Sequence, residues 1–261
     1  MNYRSALAPG LFAGQLIIVV GGGSGIGRCA ARELASLGAH VVLVGRKAEK
    51  LTKVAAEIEA AGGRATTCPC EIRDKEAVSA MVTHTMTRYG RVHGLVVNAS
   101  GQPPAAQDDD GHTGFDGNVS KSHVAGFLVA DEVYRRSMES NGGAIVNILA
   151  DASSTATGTR PGAADAVMER LTQRAAAAWA RAGVRVNAVA PAWIASGRLE
   201  NREETLKALT PRMLESVPLM RFGTEAEVSA AVCFLLSPGA AFITGATLRV
   251  DGAAAHRNRP A

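Results

Sequence analysis

Aromatic side chains are scarce in this chain: 6 Phe, 2 Trp and 3 Tyr make up 4% of 261 residues. That is too few for the stacking platforms that hold single-stranded nucleic acid. Basic residues form no stripe either, because the net charge of +4 is scattered over 28 Lys and Arg against 24 Asp and Glu. No nucleic-acid partner is therefore expected. The basic stretch His256-Arg257-Asn258-Arg259 is too short to alter this. Cysteine is equally sparse, and Cys68 and Cys70 flank a single proline with no second pair to complete a zinc site. With Cys29 and Cys233 they read as small apolar residues of the core. Histidines show no metal spacing, and Asp108-Asp109-Asp110-Gly111-His112 places its carboxylates consecutively rather than alternately, so no metal is expected. No apolar run approaches the ~20 residues that cross a bilayer, and no secretory h-region is visible, which predicts no membrane partner and a cytoplasmic address. Neither repeat nor linker interrupts the chain. The expectation is a single domain over residues 1–261, with a small substrate-side segment around 192–222.

Glycine, by contrast, is plentiful, with 28 residues. The turn Gly21-Gly22-Gly23-Ser24-Gly25-Ile26-Gly27 lies between an apolar run at 16–20 and a helical stretch read as starting at Arg28. A short buried strand leading through glycines into an amphipathic helix lets backbone approach a pyrophosphate closely. The free N–H groups and positive dipole end of the helix then face the phosphates.

Short β-branched runs alternate with helical patterns over the rest of the chain. Strands are predicted at 41–44, 64–70, 93–97, 144–149, 184–190 and 247–250. The first helix carries Ile26, Ala30, Leu34 and Leu37 on one stripe and stops at Gly38. The second carries Leu51, Val54, Ala55 and Ile58, and the third Val78, Met81 and Val82. Residues 101–117 are rich in Pro, Asp and Gly and read as a loop. Helices follow at about 120–139 and 162–181, and a last one buries Val228, Val232 and Leu235. Strict alternation predicts an α/β fold: one Rossmann-type doubly wound parallel sheet of about seven strands with helices on both faces.

Several of these segments, in this order, resemble the short-chain dehydrogenase/reductase family over nearly the whole chain. Gly21, Gly25 and Gly27 match its TGxxxGxG pattern, with Val20 where Thr is usual. Val97-Asn98-Ala99-Ser100-Gly101 resembles its NNAG segment. Val184-Arg185-Val186-Asn187-Ala188-Val189-Ala190-Pro191 is similar to its sixth strand and nicotinamide loop, with Ala192 replacing Gly. Phe234 to Ser237, Ile243-Thr244-Gly245 and Val250-Asp251-Gly252 are similar to its C-terminal signature. The spacing around Pro69 to Arg73 and Phe234 to Gly245 is closest to enoyl-CoA and dienoyl-CoA reductases. The resemblance implies a nicotinamide coenzyme held by Gly21, Ser24, Gly25, Ile26, Gly27, Arg46, Lys47, Glu71, Ile72, Asn98, Ala99, Ser100, Pro191 and Ile194. Relatives that bind NAD end the second strand with an acidic residue for the ribose hydroxyls. Here Gly45 is followed by Arg46 and Lys47. Two cations suit a 2′-phosphate, which favours NADP(H) over NAD(H).

The family's proton-handling residues are a different matter. The flanking motifs put Pro161 at its tyrosine, Asp165 at its lysine, Ala150 at its serine and Ser122 at its asparagine. Tyr3, Tyr89 and Tyr134 are the tyrosines available, and no shift of alignment creates YxxxK. A lysine cation lowers a phenol's pKa from ~10, whereas a carboxylate such as Asp165 raises the pKa of a neighbouring acid. Pro161, with Thr159 as a possible N-cap, suits a first helical turn. Some acyl-CoA reductases of the family also dispense with the standard set, which leaves Ser122, Ser153, Asp165 and Glu169 as candidate catalytic residues. Two functions stay open. One is an NADP(H)-dependent oxidoreductase moving hydride to or from a hydrophobic carbonyl or conjugated acyl thioester such as an acyl-CoA, with a non-standard proton source. The other is a catalytically silent coenzyme-binding or assembly protein. The resemblance also implies a homo-oligomer, tetramer or dimer. Trp193 is open between lining a pocket and simple packing, and the Ala175 to Ala178 face between helix contact and sheet contact.

Overall fold

A computed structural model describes residues 7–98, 115–149, 163–195 and 214–256. Within them the chain runs β1 (Leu16–Val20), α1 (Gly25–Ser36), β2 (His40–Gly45), α2 (Ala48–Ala60), β3 (Arg64–Pro69), α3 (Lys75–Tyr89), β4 (Gly94–Val97) and α4 (Phe115–Val133). It continues with β5 (Gly143–Ile148), α5 (Ala163–Trp179), β6 (Val184–Pro191), β7 (Ile194–Ala195), β8 (Gly223–Thr224), α6 (Glu225–Leu236) and β9 (Thr247–Val250). Seven strands form one sheet in the order β3-β2-β1-β4-β5-β6-β9, every pairing parallel. The β7–β8 pair is a separate ribbon of two residues a side. Among the described residues no helix is long and apolar enough to cross a membrane.

The strand alternation explains the layering. Successive side chains of a strand point to opposite faces, so Ile17 and Val19 join a cluster with Leu34, Leu51, Ile58 and Val232 under α1, α2 and α6. Leu16, Ile18 and Val20 join Met81, Val129 and Trp179 under α3, α4 and α5. All five residues of β1 are buried, as a central strand covered on both sides requires. At ~1.5–3 kcal/mol for each fully buried aliphatic side chain, these two layers dominate the stability of the sheet.

The helices depart from sequence expectation in specific ways. Helix α1 begins at Gly25, three residues before Arg28, so the last part of the glycine motif is already helical. Helix α4 begins at Phe115, inside the stretch read as a loop to Gly117. A glycine within a helix costs only ~1 kcal/mol relative to alanine, too little by itself to stop a helix. The helix does not run evenly to 139 but widens into a π turn at Tyr134–Met138. There the buried Ser137 hydroxyl accepts the Val92 N–H at 2.8 Å. Three aromatics meet between two helices: Tyr134 stacks on Trp179 at 4.3 Å and Phe127 lies 6.1 Å from the same indole, tying α4 and its π turn to α5. Ala175 and Ala176 face the sheet whereas Ala177 and Ala178 are exposed. The sheet-contact reading of that stretch therefore holds for Ala175 and Ala176. Cys70 and Cys233 are buried as expected, but Cys29 and Cys68 are only partly so.

Candidate coenzyme cleft

The strand order reverses direction between β1 and β4, and in open parallel sheets ligands bind at that switch point beyond the carboxyl ends of the strands. The glycine turn stands there. Gly21 donates to the Val44 carbonyl at 2.8 Å, extending the β1–β2 ladder by one residue, while Asn98 donates to Val20 at 3.1 Å from the other side. The turn then folds back over β4. A side chain on Gly21, whose φ is +74°, would start 2.2 Å from the Asn98 carbonyl oxygen. One on Gly27 would start 2.3 Å from the Gly21 carbonyl oxygen and 2.8 Å from Asn98 Nδ2. Gly25 has φ +57°. Gly21 and Gly27 leave no room for a Cβ, and the positive φ of Gly21 and Gly25 favours glycine there.

Helix α1 leaves this turn with its first amides open. Ser24 occupies the N-cap in an extended conformation, makes no side-chain capping bond, and no acidic residue follows in the first turn. Helix α2 is also uncapped by a side chain, with Lys47 at its N-cap. The contrast with other helices is direct. Asp74 caps α3 by accepting from the Glu76 and Ala77 amides, and Thr224 with Glu227 forms a complete capping box on α6. Open helix N-termini carry about half a positive charge and suit an anion. The cradle and the open amides of α1 fit a pyrophosphate.

Charge around the cleft is mixed. Arg46 and Lys47 are exposed beyond β2, and Arg46 faces Glu71 beyond β3, with Nη1 3.9 Å from Glu71 Oε2. The other carboxylate oxygen, Glu71 Oε1, accepts the Arg73 N–H at 3.1 Å. Arg28 donates from Nε to Glu57 at 2.8 Å, joining α1 to α2, and this hydrogen bond raises its pKa. Glu225, at the start of α6, brings Oε1 to 3.8 Å from where a Gly25 side chain would begin. Cys70, just before Glu71, is pushed up to about 11 by burial, which excludes it as a thiolate at neutral pH.

The remaining sequence candidates fall in several places. Ile26 and Ile72 are partly buried and pack against the two core layers. Pro191 ends β6 at the same carboxyl edge. Ile194 is 3% exposed and lies in the core layer under α6, so its side chain is closed to a ligand. Trp193 donates from Nε1 to Ser216 Oγ at 3.0 Å and packs on Ala192, Val217 and Ala254. Ser122 and Asp165 are placed by backbone, within α4 and in the first turn of α5. Glu169 lies one turn beyond Asp165 and is half-buried. Ala99, Ser100, Ser153, Ala150, Pro161, the aspartate run at 108–110 and most of the 192–222 segment lie outside the described residues.

Two described tyrosines are committed elsewhere. Tyr89 shares a 2.8 Å hydrogen bond with Thr66, and Tyr134 stacks on Trp179. Sequence reading also missed Lys50 and Glu225. The stem of Lys50 lies against Gly23, 3.2 Å from where a side chain would begin. Its spacing, four residues after Arg46 and three after Lys47 at the start of a helix, was a usable signal. Glu225 had none, being 200 residues distant from Gly25.

With this geometry in place, comparison with known proteins is informative. A family model described as Enoyl-(Acyl carrier protein) reductase matches residues 21–253. The peroxisomal 2,4-dienoyl-CoA reductase of Danio rerio is 31% identical over 256 residues, covering 97% of this chain and 85% of that protein. Among solved structures, a citronellol catabolism dehydrogenase from Pseudomonas aeruginosa PAO1 is 51% identical, with a TM-score of 0.80 and coverage of 97% of this chain and 100% of that one. An NAD+-bound xylitol dehydrogenase is 28% identical with a TM-score of 0.81, over 92% of this chain and 98% of that one. The matched span starts at the glycine cradle and ends just beyond the last strand. This chain belongs to the short-chain dehydrogenase/reductase family of oxidoreductases.

Proposed function

We propose that this chain is an NADP(H)-dependent oxidoreductase that moves a hydride to or from a small hydrophobic carbonyl compound or conjugated acyl thioester. The observation that carries the coenzyme reading is the glycine cradle beside Arg46 and Lys47, with glycine and no carboxylate at the end of β2. Gly21, Ser24, Gly25, Ile26 and Gly27 hold the pyrophosphate, Arg46 and Lys47 the 2′-phosphate, and Glu71 and Ile72 border the adenine. Asn98, Ala99, Ser100, Pro191 and the Ile194 backbone line the nicotinamide side. When bound, the coenzyme supplies or takes up the hydride. The protein's part is to hold the substrate beside it, exclude water and deliver or receive one proton at the carbonyl oxygen or the acyl α-carbon.

That proton has a non-standard source in this reading. Ser122, Ser153, Asp165 and Glu169 are the candidates on the α4 and α5 side of the cleft and the preceding segment. A missing general acid typically costs ~10²–10⁴ in rate, so hydride transfer by positioning alone is slow but measurable. One relative is named for the reduction of a dienoyl-CoA and another for citronellol catabolism, which supports an apolar substrate. The chain is proposed to form one domain across residues 1–261, with the segment around 192–222 on the substrate side. Exposed Val124 and Leu128 on α4, Val167 on α5 and the fully exposed Phe242 support a homo-oligomer, dimer or tetramer.

A second reading is favoured by the charge at Asp165 and by the engagement of Tyr89 and Tyr134 elsewhere: a coenzyme-binding protein without turnover. The test is titration with NADPH and NADH, followed by turnover assays with enoyl-CoA, 3-oxoacyl-CoA and simple ketones. Oxidation of NADPH with any of these substrates establishes the first reading. Tight NADPH binding with no oxidation establishes the second, and no binding of either nucleotide defeats both.

A further inference from the structure

The residue facing Arg46 is a carboxylate. Glu71 does not swing freely, because its Oε1 accepts the Arg73 amide at 3.1 Å while Oε2 points to Arg46 Nη1 at 3.9 Å. Both side chains are about half exposed, 54% for Arg46 and 42% for Glu71. An exposed pair of this kind contributes little to stability and opens readily. Opening it does not remove the charge, however. When an anion takes the Arg46 guanidinium, the carboxylate stays beside it, tethered to the Arg73 amide. Lys47, next along the chain and also exposed, offsets only part of that repulsion.

We propose that Glu71 is the specificity-determining residue of this cleft: a tethered counter-ion of Arg46 that competes with a 2′-phosphate and keeps the preference for phosphorylated coenzyme small. The inference rests on the reading that Arg46 receives that phosphate. The charge beside Arg46 narrows, without reversing, the preference for the phosphorylated coenzyme.

The probes are 2′,5′-ADP and 5′-AMP, which differ only in the 2′-phosphate, titrated calorimetrically into the full-length protein. Glu71→Gln keeps an oxygen for the Arg73 amide and removes the charge. It is expected to raise the affinity ratio of 2′,5′-ADP over 5′-AMP by about three- to tenfold, and less at high salt. In an Arg46→Gln background the same change moves the ratio less, and the double-mutant cycle reads the coupling directly. A purely structural role moves both ligands together. An unchanged or smaller ratio in Glu71→Gln, with thermal unfolding unaltered, overturns the inference. The underlying reading is judged separately by the wild type: if 5′-AMP binds as tightly as 2′,5′-ADP both there and in Glu71→Gln, both ideas fail. If the ratio rises only in the variant, the counter-ion stands and the NADP(H) preference falls.

Discussion

At the amino edge of the sheet, polar groups close on protein partners. His40 at the start of β2 meets Thr66 at 2.9 Å, and Thr66 meets Tyr89 at 2.8 Å. His93 Nδ1 accepts the Leu16 amide at 3.0 Å, and the half-buried Arg185 donates to the Leu235, Leu236 and Ser237 carbonyls at the end of α6. At the carboxyl edge, α1 and α2 start without side-chain caps, glycines take the place of side chains, and cations stand exposed. The difference teaches where hydrogen-bonding groups are closed by the protein itself: throughout these contacts at the amino edge, but at the carboxyl edge on α3 and α6 and not on α1 and α2 beside the glycine turn. Buried backbone groups are almost always paired, so open ones grouped at a switch point mark a binding surface.

Substitutions at the two edges should separate binding from stability. The largest effect is expected from Gly27→Ala, whose methyl group would meet the Gly21 carbonyl. Coenzyme affinity should fall at least about 100-fold, with only ~1–3 kcal/mol of stability lost to the forced shift. Nucleotide titration alongside urea denaturation measures both, and unchanged affinity would remove the cradle from the binding surface.

Arg185→Met tests the opposite edge. Losing its charge-assisted bonds to the α6 carbonyls should cost ~2–3 kcal/mol, with nucleotide affinity unchanged within about twofold. A large loss of binding at unchanged stability would break the division between edges.

Acid should also act on the amino edge first. Burial lowers the pKa of His93, with Arg91 adding to it, and burial together with Arg64 and Arg88 lowers that of His40. The unfolded chain, with ordinary values near ~6.5, takes up protons before the folded one. Stability is therefore full above about pH 6.5 and declines as pH falls through the folded pKa values. Protonated His93 Nδ1 no longer accepts the Leu16 amide. Urea midpoints measured from pH 8 to 5 should fall on the acid side, and His93→Asn should flatten part of that slope.

The smallest effect is expected at Lys50. Lys50→Gln should weaken 2′,5′-ADP by about two- to fivefold relative to 5′-AMP, as befits an exposed charge. No change in the ratio would remove Lys50 from the cations proposed to meet the 2′-phosphate.

Much of the architecture was legible before any coordinates. The uninterrupted run Leu16–Val20 became a fully buried β1, and Leu51, Val54, Ala55 and Ile58 formed the inward face of α2. Helix starts were less legible: Gly25 begins α1 although glycine reads as turn, and Phe115 begins α4 without any signal of its own. The glycine cradle was visible as a motif, but the reason Gly27 must be glycine, contact with Gly21 and Asn98, is not a property of local spacing.

The order of residues alone determined the alternation of strands and helices, the glycine turn after the first strand, and the absence of a YxxxK pairing. Each follows from periodicity or residue identity, which act over a few residues. Only the tertiary structure decided that Glu71 is tethered opposite Arg46, that Glu225 arrives beside Gly25, and that Arg185 closes the end of α6. Those pairings join distant parts of the chain, and they form because parallel strands bring their carboxyl ends to one edge and their amino ends to the other.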